Sequence, residues 1–402
     1  MAPERPKRAL FLVHSYYLRD PRPRRLATAV ARAGWDVDVV CARDAGEPRM
    51  ELIDGVRVHR LPARRKRATK LRYAFEYLSF TLMALIKLTS LWLRKRHRVV
   101  YVIGIPNFIV FAAAVARVGG ARVFLEMRDP LPEFFCSKYG LTAQHPLIRA
   151  LIVEEKTSAR FAHRVTTVVP SMAQLYTRSG VRADVIWNAP DPSVFAGASV
   201  STPRDAADRT MLYTGSVSPH YGIDDAVRAL GELAEEVPGL RLRIVTKNTK
   251  EALLDDVRAL ASSLGVSDRV VIEGPVPLGA IPEIIASSWI GIQPNRSDPL
   301  MDHSLSQKVL EWAQLGLPAV CGRTRALLDL FGEDDLLFHE PGDIAGLCAR
   351  VREAHADPAG LERRAQRARR ALDRIAYQDQ IATLLRLFDD RMGTESEHGG
   401  AV

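Results

Sequence analysis

The sequence predicts an α/β chain built as two doubly wound parallel-sheet domains in tandem, facing each other across a cleft. Three observations carry this. At 402 residues the chain exceeds what one compact core usually holds. Short β-branched runs alternate with helix-like stretches, the pattern of a parallel sheet with helices on both faces. One small, polar segment, AGASVSTPRDAADRT at 196–210, interrupts the alternation, which then restarts.

In the first half the strand-like runs are RALFLVH (8–14), DVDVVCA (36–42), VRVHRL (56–61), RVVYVI (98–103), ARVFLE (121–126), HRVTTVV (163–169) and ADVIWN (183–188). In the second they are TMLYTG (210–215), LRLRIVT (240–246), RVVIEG (269–274), WIGIQP (289–294) and LPAVC (317–321). This places a first domain at 1–195, a linker at 196–210 and a second domain at 211–374. No period of 20 to 50 residues recurs, so a repeat architecture is excluded. Open parallel sheets bind ligands beyond the carboxyl ends of their strands. Residues just after the strands are therefore the candidates, among them His14, Glu126 to Asp129, Gly215 to Ser218, Lys247, Val276 and Asn295 to Ser304.

Composition narrows the function classes. The net charge of +9 is uneven: six of the nine residues from Arg64 to Arg72 are basic, and Arg94, Lys95, Arg96 and Arg98 form a second block. An anionic partner near the first quarter of the chain follows. Between the blocks runs YLSFTLMALIKLTSLWL (77–93), whose uncharged part before Lys87 is about half of the roughly 20 apolar residues that span a bilayer. Two readings fit it: a helix lying on an anionic membrane surface through residues 64–98, or a long helix packed on the sheet with solvated charged ends. Four scattered cysteines form no CxxC pair, which argues against a disulfide framework and a zinc site and favours a reducing cytoplasm. No GxGxxG follows a predicted strand and no GxxxxGK[ST] occurs, so the usual dinucleotide and P-loop fingerprints are missing. Asp36 and Asp38 form an Asp-x-Asp inside a strand start, read as a strand-edge feature and not as a metal site.

HSLSQKVLEWAQLGLPAV (303–320) is the most informative stretch. Ser304 and Gln307 have capping-box spacing, predicting a helix that starts near Leu305; Gly316 and Pro318 predict its end. Val309, Leu310 and Ala313 make an apolar stripe, while Ser304, Lys308, Glu311 and Leu315 share another face. A lysine in the first turn opposes the helix dipole. That cost is understandable if a phosphate sits at the helix N-terminus, with Glu311 one turn deeper accepting from ribose hydroxyls. An exposed Lys–Glu pair worth a few tenths of a kcal/mol fits the same spacing.

RDPRPRRLATAVARAGWDVDVV, GVRVHRLP, FLEMRDPLPEF, VIWNAPDPSVF, LYTGSVSPHYGIDDAVRAL, QKVLEWAQLGLPAV and LLFHEPGD, in this order and spacing, resemble the retaining glycosyltransferases of family 4. The resemblance implies the GT-B fold, two facing Rossmann-like domains, with residues 1–195 on the acceptor side and 211–374 holding a nucleotide sugar. It further implies a helix crossing back to the first domain, read at 375–392, leaving 393–402 as a disordered tail. The implied reaction moves a sugar from a nucleotide diphosphate sugar to an acceptor hydroxyl with retention. The nucleotide sugar is a co-substrate; no cofactor, metal or nucleic acid is expected. A glycan or lipid-linked acceptor and a location in the cytoplasm, at the inner face of the membrane, complete the expectation.

By the same resemblance, Glu311 holds the ribose, and the helix N-terminus before it, at Leu305 and Ser306, faces the diphosphate. Gly215, Ser216, Lys247, Val276 and Arg296 complete the donor side. Asp129, the candidate for orienting the acceptor hydroxyl, and His303 are the catalytic candidates, with His14, Arg128 and Glu133 on the acceptor side. The chain also departs from the family. His303 falls where relatives carry the first of two glutamates, and Ser216 and Tyr221 fall where they carry a diphosphate-clamping arginine and lysine. Lys308, Lys247 and Arg296 are the substitutes available, Lys308 first by helix geometry. Three other readings stay open: a catalytically silent GT-B protein, a nucleotide-sugar epimerase, and a membrane-surface scaffold.

Overall fold

The computed structural model describes residues 6–63, 70–195, 209–246 and 249–390. The basic run 64–69, most of the 196–210 linker, Lys247 and the tail from 391 lie outside the described residues.

The first sheet holds β1 (Arg8–Tyr16), β2 (Asp36–Ala42), β3 (Met50–Ile53), β4 (Val56–Leu61), β5 (Val99–Ile103), β6 (Arg122–Glu126), β7 (Arg164–Thr167) and β8 (Ala183–Val185). Their order across the sheet is β3-β4-β2-β1-β5-β6-β7-β8. The second holds β9 (Arg209–Thr214), β10 (Leu240–Val245), β11 (Val270–Glu273), β12 (Ile290–Gln293), β13 (Ala319–Gly322) and β14 (Leu337–His339), in the order β11-β10-β9-β12-β13-β14. Chain order reverses between β1 and β5 and between β9 and β12, and a doubly wound sheet opens its binding crevice at such points.

One strand corrects the sequence reading. β3 pairs antiparallel with β4, Ile53 opposite Val56, so the first sheet is not wholly parallel. Asp54 and Gly55 both take positive φ, 50° and 80°, the two-residue turn that Asp-Gly favours between strands.

The helix Lys70–Lys95 packs one stripe on the first sheet: Phe80, Ala84, Leu88 and Trp92 are buried at four-residue spacing. Its opposite stripe, Phe75, Leu78, Leu82 and Ile86, is 59–71% exposed. Among the described residues no helix is long and apolar enough to cross a membrane.

Asp38 is committed to structure. Fully buried, it accepts from His59 at 2.7 Å, Lys95 at 2.8 Å and His97 at 2.9 Å. It thereby ties the end of the long helix to β2 and β4.

The final described helix, Tyr377–Asp389, lies on the first domain. Phe388 is wholly buried against Trp35, Phe124, Tyr101 and Phe11, with ring centroids 5.2–6.4 Å apart. Burying such a ring contributes about 1.5–3 kcal/mol. The two domains also meet directly. The Ser171 N–H donates to Asp329 at 2.7 Å, and His220 Nδ1 lies 3.3 Å from Ser137 Oγ.

Candidate functional site

A cavity of about 460 Å³ opens at the carboxyl ends of β9, β10 and β12. Thr214 ends β9 and Gly215 and Ser216 follow it, Val245 ends β10 and Thr246 follows it, Gln293 ends β12 with Asn295 in the loop beyond, and Pro275 and Val276 follow β11. The helix Gln307–Gln314 closes one wall with Leu305, Ser306, Gln307, Lys308 and Glu311. Val309, Leu310, Trp312 and Ala313 bury its other face, so packing alone aims Lys308 and Glu311 at the cavity.

The helix starts two residues later than the sequence suggests. Ser306 is the N-cap, and no side chain caps the helix, so the capping box expected from Ser304 and Gln307 does not form. Ser306 Oγ is buried without a hydrogen-bond partner among the described residues. The first N–H groups of a helix have no intrahelical partner, and here they stand at the cavity wall with no side chain covering them. Such an end carries a partial positive charge suited to an anion.

Lys308 Nζ lies 3.8 Å from the centroid of the Tyr213 ring and 5.2 Å from that of Tyr221. Burial pushes its pKa down to about 7, with Cys321 and Glu311 pulling weakly the other way. Tyr221 is the residue standing at the family's lysine position, and the structure uses its ring to flank Lys308.

Of the residues singled out from sequence, Gly215, Ser216, Val276, Leu305, Ser306, Lys308 and Glu311 share this cavity. Arg296 does not line it. Its guanidinium bonds both Asp225 oxygens at 2.8 and 3.1 Å and also Asp224, and these carboxylates raise its pKa against the opposing effect of burial. It is a strut between the β12 loop and the helix Ile223–Leu233. His303 is buried on the turn before the cavity helix and also stays off the lining. Burial lowers its pKa, so the imidazole is neutral at pH 7.

The first-domain candidates occupy the facing side. Asp129 keeps a 42% exposed side chain, 3.6 Å from Arg128 Nε. Burial of its surroundings raises its pKa, Arg128 opposes, and Asp20 and Glu126 add to the rise. Burial raises the pKa of Tyr221 in the second domain, and the Asp129 charge adds to that rise. Arg128 is held by Asp20 at 2.9 and 3.3 Å. Glu133 is paired with both guanidinium nitrogens of Arg178. His14 packs between Tyr77 and Phe80 of the long helix, with centroids 4.7 and 4.4 Å away. These last three are engaged in structural contacts.

Thr214, Gln293 and Tyr213 were not singled out from sequence. The first two end β9 and β12, one or two residues before the loops taken as candidates. The last residue of a strand in a doubly wound sheet is the signal that points to them.

Two doubly wound domains with a polar cavity at the second domain's strand ends and a returning C-terminal helix define the GT-B class. The chain belongs to the family 4-like glycosyltransferases of that class: the "Glycosyl transferase 4-like domain" family matches residues 20–188 and "Glycosyl transferases group 1" matches 208–357. It is similar to D-inositol 3-phosphate glycosyltransferases of Acidothermus cellulolyticus, 31% identical over 40% of this chain and 37% of the relative. The enzyme of that name from Thermomonospora curvata is 25% identical over 64% of this chain and 63% of the relative. Those alignments span less than two thirds of each relative's length. Sucrose-phosphate synthase from Thermosynechococcus elongatus shares the fold with a TM-score of 0.77 at 16% identity, over 95% of this chain and 98% of that one. Anabaena HepE in complex with UDP and glucose does so with a TM-score of 0.71 at 14% identity, over 95% and 99%.

Proposed function

We propose that the protein transfers a sugar from a nucleotide diphosphate sugar to an acceptor hydroxyl, with retention and without a metal or cofactor. The observation that supports this most is the convergence, on one cavity wall, of an uncapped helix N-terminus, Lys308 in its first turn and Glu311 one turn on. In this reading the diphosphate lies at the helix end beside Lys308, and Glu311 accepts from the ribose hydroxyls. The helix end and the lysine stabilise charge developing on the leaving diphosphate, while Asp129 orients the acceptor hydroxyl from the facing domain. Positioning and electrostatics carry the rate, and no side-chain nucleophile is needed.

Thermal shift against UDP, GDP, dTDP and ADP tests the reading. A stabilisation by one nucleotide that disappears in Glu311→Ala is expected; no shift with any of the four counts against it. The neutral His303 and the uncharged Ser216 and Tyr221 favour a second reading, a silent GT-B protein that binds the nucleotide sugar only. Binding without turnover of the matching nucleotide sugar, with acceptors supplied, would select it.

We also propose that the acceptor is a glycan or lipid-linked precursor met at the inner face of a membrane. The exposed stripe Phe75, Leu78, Leu82 and Ile86, with Arg94 and Arg96 exposed beyond it, supports a lipid surface. Flotation with vesicles containing an anionic phospholipid should carry the protein upward, and Leu82→Asp/Ile86→Asp should stay in the load. Equal recovery of both proteins at the bottom would remove this part.

A further inference from the structure

Lys308 is a half-buried lysine with no anion in contact among the described residues. Among the described residues it makes no hydrogen bond or ion pair; two tyrosine faces hold it. The groups around it come from three strands and loops and from its own helix: Tyr213 on β9, Tyr221 before the helix Ile223–Leu233, Cys321 on β13, and Glu311 one turn along. Burial raises the pKa of both phenols and of the thiol, so all three are neutral at physiological pH. Glu311 is the carboxylate that bears on Lys308, and its influence ranks below that of burial. Two further polar atoms lie in the same lining without partners among the described residues: Thr214 Oγ1 and Gln293 Oε1, on side chains 7% and 1% exposed. Cation–π contact steadies an ammonium without neutralising it. A carboxylate in the place of either ring would have occupied the lysine permanently.

We propose that Lys308 is a proton-coupled anion receptor, which takes up one proton from solvent as the diphosphate of a nucleotide enters the cavity. The inference rests on the proposed nucleotide site and adds how that site is charged. With its pKa held down to about 7, the side chain of the ligand-free protein is about half neutral amine at pH 7. An entering diphosphate favours the ammonium and raises the pKa again. The sign follows from linkage. Below pH 7 the lysine already carries its proton and affinity is level in this respect. Above pH 7 the proton must be gained on binding, and affinity falls by up to about tenfold per pH unit until the bound-state pKa is reached. An arginine here would stay charged throughout.

Titration calorimetry of UDP and GDP into the full-length protein at pH 8, in buffers of differing ionisation enthalpy, tests this. An uptake of about 0.9 proton per bound nucleotide is expected, with none in Lys308→Arg. The wild-type buffer series is decisive alone if that variant fails to fold. Binding with no proton uptake overturns the inference and leaves the nucleotide site standing, and so does equal uptake by wild type and Lys308→Arg. Failure of both nucleotides to bind between pH 6 and 8 removes the inference together with the site beneath it.

Discussion

Arg22 donates two parallel hydrogen bonds to Glu126, both 2.8 Å long, between side chains that are 4% and 0% exposed. The Tyr101 hydroxyl adds a bond to Glu126 at 2.7 Å, and Arg22 reaches the Ile186 carbonyl at 2.9 Å. Burial alone would push the Glu126 pKa up, but Arg22 outweighs it and holds the carboxyl below its ordinary value. Removing the arginine strands a buried carboxylate. Arg22→Met should cost about 3–5 kcal/mol in urea unfolding, and Arg22→Met/Glu126→Leu should recover much of that. With a depressed folded-state pKa, the wild-type pair contributes fully above the ordinary glutamate pKa and is lost as pH falls through the folded value. The Arg22→Met penalty should therefore shrink on acidification; a penalty unchanged between pH 7 and 3 would contradict this account.

Glu311→Ala should weaken nucleotide binding by about 10- to 100-fold, the loss of charge-assisted hydrogen bonds worth about 1.5–3 kcal/mol. Calorimetry with the nucleotide that stabilises the wild type measures it. An unchanged dissociation constant would show that the ribose lies elsewhere.

Lys308→Met should bind the same nucleotide more weakly and yet melt at a higher temperature when empty. A lysine whose folded pKa lies below its unfolded one costs stability that builds as pH falls from about 10.5 to 7 and is full below that. Methionine removes that cost, gaining about 1–3 kcal/mol at neutral pH. The gain should vanish as pH rises toward 10. A lower melting temperature at pH 7 would show that the tyrosine contacts outweigh desolvation.

Gly222→Ala should destabilise the second domain by about 2 kcal/mol or more. A Cβ there would stand 2.0 Å from the Pro294 carbonyl oxygen, on a backbone with φ of +62°. Denaturant unfolding followed by tryptophan fluorescence would measure it. Wild-type stability would mean that the loop yields without cost.

Much of the architecture is legible in the sequence because alternation of β-branched runs with helices is local. The helix bearing Lys308 and Glu311 was placed for the same reason, since its apolar stripe and its stop at Gly316 lie within 14 residues. Its start is not legible in the same way: capping-box spacing describes a local preference, and Ser306 takes the N-cap instead. The β3–β4 hairpin carried a readable Asp54–Gly55 signal that a parallel-sheet expectation passed over. Arg296 could not be placed from sequence, because Asp224 and Asp225, which hold it, lie 72 and 71 positions away. The pair of Arg22 and Glu126 is equally silent, with 104 positions between them. Lys308 is an intermediate case. The loss of two charges at Ser216 and Tyr221 pointed to it, but that a tyrosine replacing a lysine would hold another lysine needed the geometry.

The returning helix has a consequence for how the chain is made. Phe388 completes a cluster whose other members, Phe11, Trp35, Tyr101 and Phe124, emerge from the ribosome far earlier. Throughout synthesis of the second domain the nascent first domain therefore presents an uncovered aromatic face, the kind of surface that recruits chaperones or misassembles. A segment translated after the second domain is what closes the first domain, so a stop codon a few residues before Phe388 would injure the half of the protein made long before it.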